Sequence, residues 1–327
     1  MNKELEIWQF AAERLQRNES VMLLVVAESS GSSPGRQGFK LIVADDELCG
    51  SIGGGVMEVR LVENAKLKIK NSKIESEICN LQSEIVEQVH QKSSPESSGM
   101  ICSGKQTVIF YKLTSKDLRA IQKIILYLKN DRERYLQITS NSFRAIWKKK
   151  HAADFRFVKS ESDFLYEEKL GFKNQLIIIG GGHCAFALSE LMSKMDFYIS
   201  LFDDHPNLNT LDKNKFVHAK TVVENYENIA DFVVSGANVY VVVMTLGYKS
   251  DETVIRKLFE KDFRYFGVLG SRAKMKTLIR NLEEEDYPKE KLNRIRTPIG
   301  LPINSKTPEE IAVSIAAEII AVKNKTG

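Results

Sequence analysis

Cysteine is scarce in this 327-residue chain, with four residues, Cys49, Cys79, Cys102 and Cys184, and no Cys-x-x-Cys pair. That scatter argues against a disulfide framework or a zinc knuckle and fits a reducing cytoplasm, the expected location. The five histidines lack metal-ligand spacing. Charge of one sign never accumulates in a block. The net charge of +4 is spread along the chain, so no nucleic-acid partner is indicated. Long apolar runs are also missing. Stretches such as VYVVVM at 239–244 are strand-length and far short of a membrane span, so no membrane role is expected. The opening MNKELEIWQF mixes charged and apolar residues and does not read as a secretory signal. What remains is ordinary soluble composition, 43% apolar and 28% charged, at a length that suggests about two domains.

In the N-terminal half, Leu5, Trp8, Ala11, Ala12 and Leu15 recur at a helical period. VMLLVVAES (21–29) and FKLIVADDE (39–47) read as strands around a turn-rich SGSSPGRQG (30–38). LCGSI then runs into a glycine triplet, Gly53-Gly54-Gly55, and a long helix in which Val56, Val59, Leu61, Val62, Ala65 and Leu67 are available for burial. A Gly/Ser/Pro-rich loop covers 91–105, longer than most connections in compact domains, and QTVIFYKL follows as a strand. Residues 115–130 read as a helix, and YLQITS with FRAIWKK as a hairpin. The charged, weakly patterned SESDFLYEEKLGFKN (160–174) reads as a linker or arm.

From residue 175 strands and helices alternate strictly, which predicts a parallel sheet covered on both faces. A second glycine triplet sits in QLIIIGGGHCAF. Gly180-x-Gly182-x-x-Ala185 follows an apolar strand and opens a helix, and the next strand ends in Asp203-Asp204. This is the context of a Rossmann dinucleotide turn. Glycine permits the tight turn, the helix N-terminus offers free N–H groups to a pyrophosphate, and a strand-terminal acid meets the ribose. Gly180, Gly181, Gly182, Asp203 and Asp204 are therefore candidate nucleotide-binding residues. Asp203 favours a 2′-hydroxyl, so an NAD-like nucleotide over an NADP-like one. Each acid has an alternative as a solvated strand end. His183 either touches a phosphate or faces solvent. Ser271-Arg272 either contacts an anion or opens a capped helix. No acid–base pairing for a dehydrogenase stands out downstream. The chain closes with a capping box, in which Thr307 is the N-cap and Glu310 the N3 acid.

The N-terminal half carries SSGSSPG (29–35), GSIGGGVMEV (50–59) and GMICSGKQTVIF (99–110). The C-terminal half adds IGGGHCAFAL, FDDHP, GVLGSRAK and PIGLPINSKTPEEIAVSIAAEIIA. In this order and combination they resemble the xanthine dehydrogenase accessory protein family, XdhC/CoxI, over nearly the whole chain. The resemblance implies an α/β protein with a mixed, glycine-rich domain at 1–160, a linker at 161–174 and a Rossmann-like parallel-sheet domain at 175–327. It also implies a molybdenum-cofactor chaperone without turnover of its own, which holds molybdopterin for a molybdenum hydroxylase apoenzyme. A cysteine desulfurase partner and homodimerisation come with it. The alternative is an NAD(P)- or nucleotide-dependent oxidoreductase or cofactor-modifying enzyme that uses the Rossmann domain.

On that resemblance Gly53, Gly54 and Gly55 offer a helix N-terminus to the cofactor phosphate, and Glu58 matches an acid common in the family, with an exposed helix acid as its alternative. Cys102 matches a family cysteine and either offers a soft thiolate near molybdenum or is an incidental loop cysteine. Ser32, Ser33 and Gly35 shape the same pocket or simply form a turn. Three departures stand out: Val56 replaces a cysteine after the triplet, Ser103 replaces a glycine after Cys102, and Leu246 replaces a histidine after Thr245. Cys49 is expected to be buried and structural.

Overall fold

The computed structural model describes residues 3–74, 82–89, 104–130, 134–147 and 153–325. The chain divides into two compact units, Met1–Gly171 and Phe172–Gly327.

The first unit begins with helix α1 (Lys3–Gln16) and strands β1 (Val21–Gly31), β2 (Lys40–Val43) and β3 (Leu48–Gly50). Helix α2 (Gly55–Ile74), strands β4 (Ser83–Val89) and β5 (Gly104–Leu113) and helix α3 (Leu118–Lys129) follow. Strands β6 (Tyr135–Thr139), β7 (Ser142–Ile146), β8 (Phe155–Lys159) and β9 (Phe164–Lys169) complete it. They make two antiparallel sheets, ordered β3-β2-β1-β5-β4 and β7-β6-β9-β8. Strand β1 is apolar without alternation because both of its faces are covered. Leu23 and Val25 face a core built with Trp8 and Leu15 of α1, Ile121 and Ile124 of α3, and Leu136 and Tyr166 of the second sheet. Leu24 and Val26 face the opposite way, onto Leu61, Val62, Ala65 and Ile69 of α2.

Three expectations need correction here. Helix α2 buries Leu61, Val62 and Ala65, but Val56, Val59 and Leu67 are exposed, because the sheet covers one stripe of the helix. The segment at 161–174 is not a bare linker. Its centre is β9, which pairs with β6 on one side and β8 on the other. Its acids gave it the look of a solvated arm, yet Glu167 and Glu168 are buried and partnered. Glu168 meets the buried Lys40 ammonium at 2.6 Å and accepts the Tyr166 hydroxyl at 2.8 Å, while Glu167 accepts from Gln137 at 2.9 Å. Cys49 lies on edge strand β3 and is half-buried rather than sealed.

The second unit runs β10 (Asn174–Ile179), α4 (His183–Met192), β11 (Phe197–Asp203), α5 (Asn209–Lys213), β12 (Ala219–Val222), α6 (Ile229–Phe232) and β13 (Gly236–Val243). It continues with α7 (Tyr248–Leu258), β14 (Phe263–Val268), α8 (Arg272–Glu284), α9 (Lys289–Leu292), β15 (Ile295–Arg296) and α10 (Pro308–Asn324). The six strands are all parallel, in the order β12-β11-β10-β13-β14-β15. Numbered within the unit, this is the 3-2-1-4-5-6 order of a Rossmann sheet. Cores on its two faces confirm the doubly covered arrangement read from the sequence. The capping box of α10 forms as expected, with Thr307 Oγ1 accepting from Glu310 N–H at 3.2 Å and Glu310 Oε2 from Thr307 N–H at 3.1 Å. Strand order places the topological switch between β10 and β13. Ligand crevices of such sheets lie there, at the carboxyl ends of the strands.

Candidate functional site

In the first unit, chain segments far apart in sequence meet at the end of β1. The register pairs Ser29 with Gln106 and Gly31 with Gly104, which brings the SSGSSPG turn beside the start of β5. A methyl group on Gly35 would overlap the Ile52 carbonyl oxygen, one on Gly53 the backbone of Pro34 and Gly35, and one on Gly104 the backbone of Ser33. The turn at 32–35, the glycine triplet and the start of β5 therefore approach backbone to backbone. Only glycine permits that approach at these positions.

Gln106 holds the three together. Its side chain is 1% exposed. Oε1 accepts the Ser33 hydroxyl at 2.9 Å and the Gly35 N–H at 3.3 Å, and Nε2 donates to the Ile52 carbonyl at 3.3 Å. Reading the sequence missed Gln106, since one glutamine in an apolar strand looks like a face-alternation residue. The available signal was its place in QTVIFYKL, where a polar side chain precedes a run buried on both faces.

The triplet itself takes a left-handed path, with φ of 127°, 73° and 72° at Gly53, Gly54 and Gly55. Glu58, in the first turn of α2, reaches back over it. One oxygen, Oε2, accepts the Ser51 hydroxyl at 2.7 Å, the Ile52 N–H at 2.8 Å and the Gly54 N–H at 2.9 Å. Burial pushes this carboxyl up, but the hydrogen bonds from Ser51, Gly54 and Ile52 outweigh it and hold Glu58 below the usual carboxylate range. The side of Gly54 where a Cβ would sit is open, with nothing within 4 Å. Ser32 and Arg36 are exposed beside the buried Ser33 and Gly35. Cys102, the candidate molybdenum ligand, lies outside the described residues.

In the second unit, Gly180 has φ of 105° and packs so tightly on the Met244–Thr245 backbone that a side chain would clash. This joins the loops after β10 and β13 at the switch point. Gly182 caps α4 and is open on its Cβ side, and His183 is exposed at the helix start. Both lie at the N-terminal end of α4, where the helix N–H groups are free of helical partners. Asp203 behaves differently from a waiting ribose acceptor. It is 2% exposed. Its Oδ2 accepts the Gly181 N–H at 2.6 Å and its Oδ1 the His205 N–H at 2.7 Å. Thr210 of α5 donates to the Gly181 carbonyl at 2.5 Å, and Leu208 and Leu211 pack over Gly181. Asp204 is more exposed and lies 2.7 Å from His205 Nδ1. Asp203, Asp204 and His205 bring ligand-type atoms within 4.8 Å of one another, but the hydrogen bonds just given already account for the Asp203 carboxylate.

Ser271 is the N-cap of α8, its hydroxyl accepting from Lys274 N–H at 3.3 Å, and Arg272 is exposed with no ion pair to a described residue. A second buried acid near the ends of these strands was passed over in reading the sequence. Asp251, 1% exposed, accepts from Thr245 Oγ1 at 2.6 Å and Thr245 N–H at 3.1 Å, and it pairs with Lys274 Nζ at 2.9 Å. It fixes the loop after β13, including Leu246, which is 71% exposed.

The fold and the two glycine turns define the class: a glycine-rich α/β unit followed by a Rossmann unit. Comparisons with known proteins agree. The XdhC Rossmann domain family matches residues 176–319 and the XdhC and CoxI family matches residues 14–75, together more than half of the chain. The chain belongs to the XdhC family. It is 21% identical to the uncharacterized protein YqeB of Escherichia coli K12 over 98% of its own length and 47% of that protein's. It is 24% identical to a probable xanthine dehydrogenase subunit from Bacillus subtilis, covering 66% of this chain and 65% of that one. The chain thus spans about half to two thirds of the curated relatives it matches. The crystal structure of a protein described as a xanthine dehydrogenase from Bacillus halodurans shares the fold, with a TM-score of 0.71 at 21% identity over 100% of this chain and 97% of that one. Among the described residues no helix is long and apolar enough to cross a membrane.

Proposed function

We propose that this protein is an accessory factor in the maturation of a xanthine dehydrogenase or a related molybdenum hydroxylase, and that it holds the molybdenum cofactor as cargo. The observation that carries this reading is the meeting of the three N-terminal motif segments at Gln106 in a member of the XdhC family. A binding factor needs a fixed frame with open positions, and the backbone here is fixed for a physical reason. Three glycines admit the backbone contacts, and a buried amide locks them. Ser32, Arg36 and the open face of Gly54 are the positions at which polar parts of a pterin would be met. Cys102 is the proposed soft ligand for the metal. A cysteine desulfurase and a second copy of the chain belong to the same proposal as partners.

The residues fit a phosphate on the Gly53–Gly55 turn poorly, because the donors before α2 already serve Glu58. In the Rossmann unit, Gly182 leaves room for a pyrophosphate, but Asp203 is committed to Gly181 and His205, so a nucleotide-dependent enzyme is the less supported reading.

The test is retention. Purified full-length protein, mixed with molybdenum cofactor under anaerobic conditions and passed over a desalting column, is expected to keep the cofactor stoichiometrically, read by metal analysis and by the fluorescence of the oxidised pterin. Passage without retention refutes the proposal.

A further inference from the structure

We infer that Glu58 is itself the anion of the first glycine turn, so that Gly53–Gly55 is a corner closed on a carboxylate of its own chain and not a cradle for a ligand phosphate. Phosphate cradles work because several backbone N–H groups converge on one concave spot without internal partners. Here the convergence exists, but the spot is filled. Ile52 N–H, Gly54 N–H and the Ser51 hydroxyl all end on Glu58 Oε2, at 2.8, 2.9 and 2.7 Å. Gly53 N–H donates to Ser51 Oγ at 3.1 Å. A phosphate brought to the same donors would meet a carboxylate within hydrogen-bonding range of each of them.

Position on the helix explains why residue 58 does this. Helix α2 starts at Gly55, and side chains of a first turn lean toward the helix N-terminus, which carries the Glu58 carboxylate back over the turn. The negative charge also suits the positive end of the helix. The three left-handed glycines curl the preceding backbone so that N–H groups two residues apart face one oxygen. The triplet and the acid therefore explain each other without a ligand. The same device recurs in the second unit, where Asp203 Oδ2 takes the Gly181 N–H at 2.6 Å. The depressed Glu58 carboxyl agrees with a carboxylate whose hydrogen bonds favour its charged form.

This assignment is independent of the proposed function, since a cargo can be held without a phosphate on this turn. It is tested with inorganic phosphate on the full-length protein labelled with 15N-glycine, whose 19 glycines give a readable spectrum. At constant ionic strength the Gly53, Gly54 and Gly55 resonances of the parent are expected to stay still. In Glu58→Ala the Gly54 resonance is expected to shift and saturate. A saturable shift in the parent, or a Glu58→Ala turn as silent as the parent, overturns the assignment. Should Glu58→Ala fail to fold, the parent decides by pH titration. The Gly54 amide is expected to follow an ionisation with a midpoint below the ordinary 4.5, and a midpoint at or above 4.5 overturns the assignment. Cofactor retention is a separate readout, so either conclusion can fail alone.

Discussion

Replacing Gln106 by Leu conserves volume and removes every hydrogen bond of the hub. Three groups lose a partner: the Ser33 hydroxyl, which is 4% exposed, the Gly35 N–H and the Ile52 carbonyl. A buried polar group stripped of its partner costs about 1–3 kcal/mol. Two of these bonds are long, at 3.3 Å, and the serine hydroxyl can rotate, so the loss falls at about 2–5 kcal/mol in total. Domain stabilities are about 5–15 kcal/mol, so this is a large fraction of what holds the first unit. The assay is urea unfolding followed by tryptophan fluorescence. Both tryptophans, Trp8 and Trp147, belong to residues 1–171, so the signal reports the first unit. The midpoint is expected to fall with little change in slope. Ser33→Ala is expected to cost less in the Gln106→Leu background than in the parent, because the two share one bond. A Gln106→Leu protein within about 0.5 kcal/mol of the parent, the range of an ordinary surface change, would refute the hub.

Further outcomes follow from the same geometry. Gly54→Ala should cost about 1–2 kcal/mol, the left-handed backbone alone, because its Cβ side is open. Gly53→Ala should cost several times more, since its methyl group overlaps the Pro34–Gly35 backbone; equal costs by the same fluorescence assay would contradict the packing. Lys274→Met leaves the Asp251 carboxylate buried without its cation and should destabilise the second unit by about 3 kcal/mol, with Asp251→Asn restoring part of it. Thermal unfolding followed by circular dichroism decides this, and an unchanged transition in Lys274→Met sinks it. Because the Glu58 carboxyl is held below its ordinary 4.5 in the folded chain, its contribution is full above that pH and is lost as pH falls through the folded value. The stability gap between parent and Glu58→Gln should therefore narrow below pH 4.5, and a gap that is constant with pH speaks against the closed turn.

The Rossmann unit was largely legible because its signal is periodic. Strand and helix alternate, each strand is a near-continuous apolar run, and Gly180 precedes a helix. What stayed hidden was where polar side chains turn. Asp203 sits at the position expected of a ribose acid, yet it folds back onto Gly181, because the Leu208–Leu211 segment covers that side of the turn. Strand β12, four residues long and half polar, carries too little pattern to announce itself. The N-terminal site is a matter of long-range register. Gln106 and Ser33 are 73 residues apart, and nothing local in either links them. Strand β9 was concealed because its buried acids find partners inside: Lys40 pairs with Glu168, and the uncharged Tyr166 and Gln137 donate hydrogen bonds to Glu168 and Glu167. Charge in a sequence marks exposure only where no partner waits inside.

Whether the first unit holds molybdenum cofactor, as proposed, is decided by comparing retention by the full-length parent with that of Cys102→Ala and Gln106→Leu under identical anaerobic loading. Stoichiometric cofactor is expected on the parent, weaker retention by Cys102→Ala at unchanged tryptophan-monitored stability, and loss in Gln106→Leu. A parent that emerges free of pterin and molybdenum, or a Cys102→Ala protein that retains them as well as the parent, contradicts it.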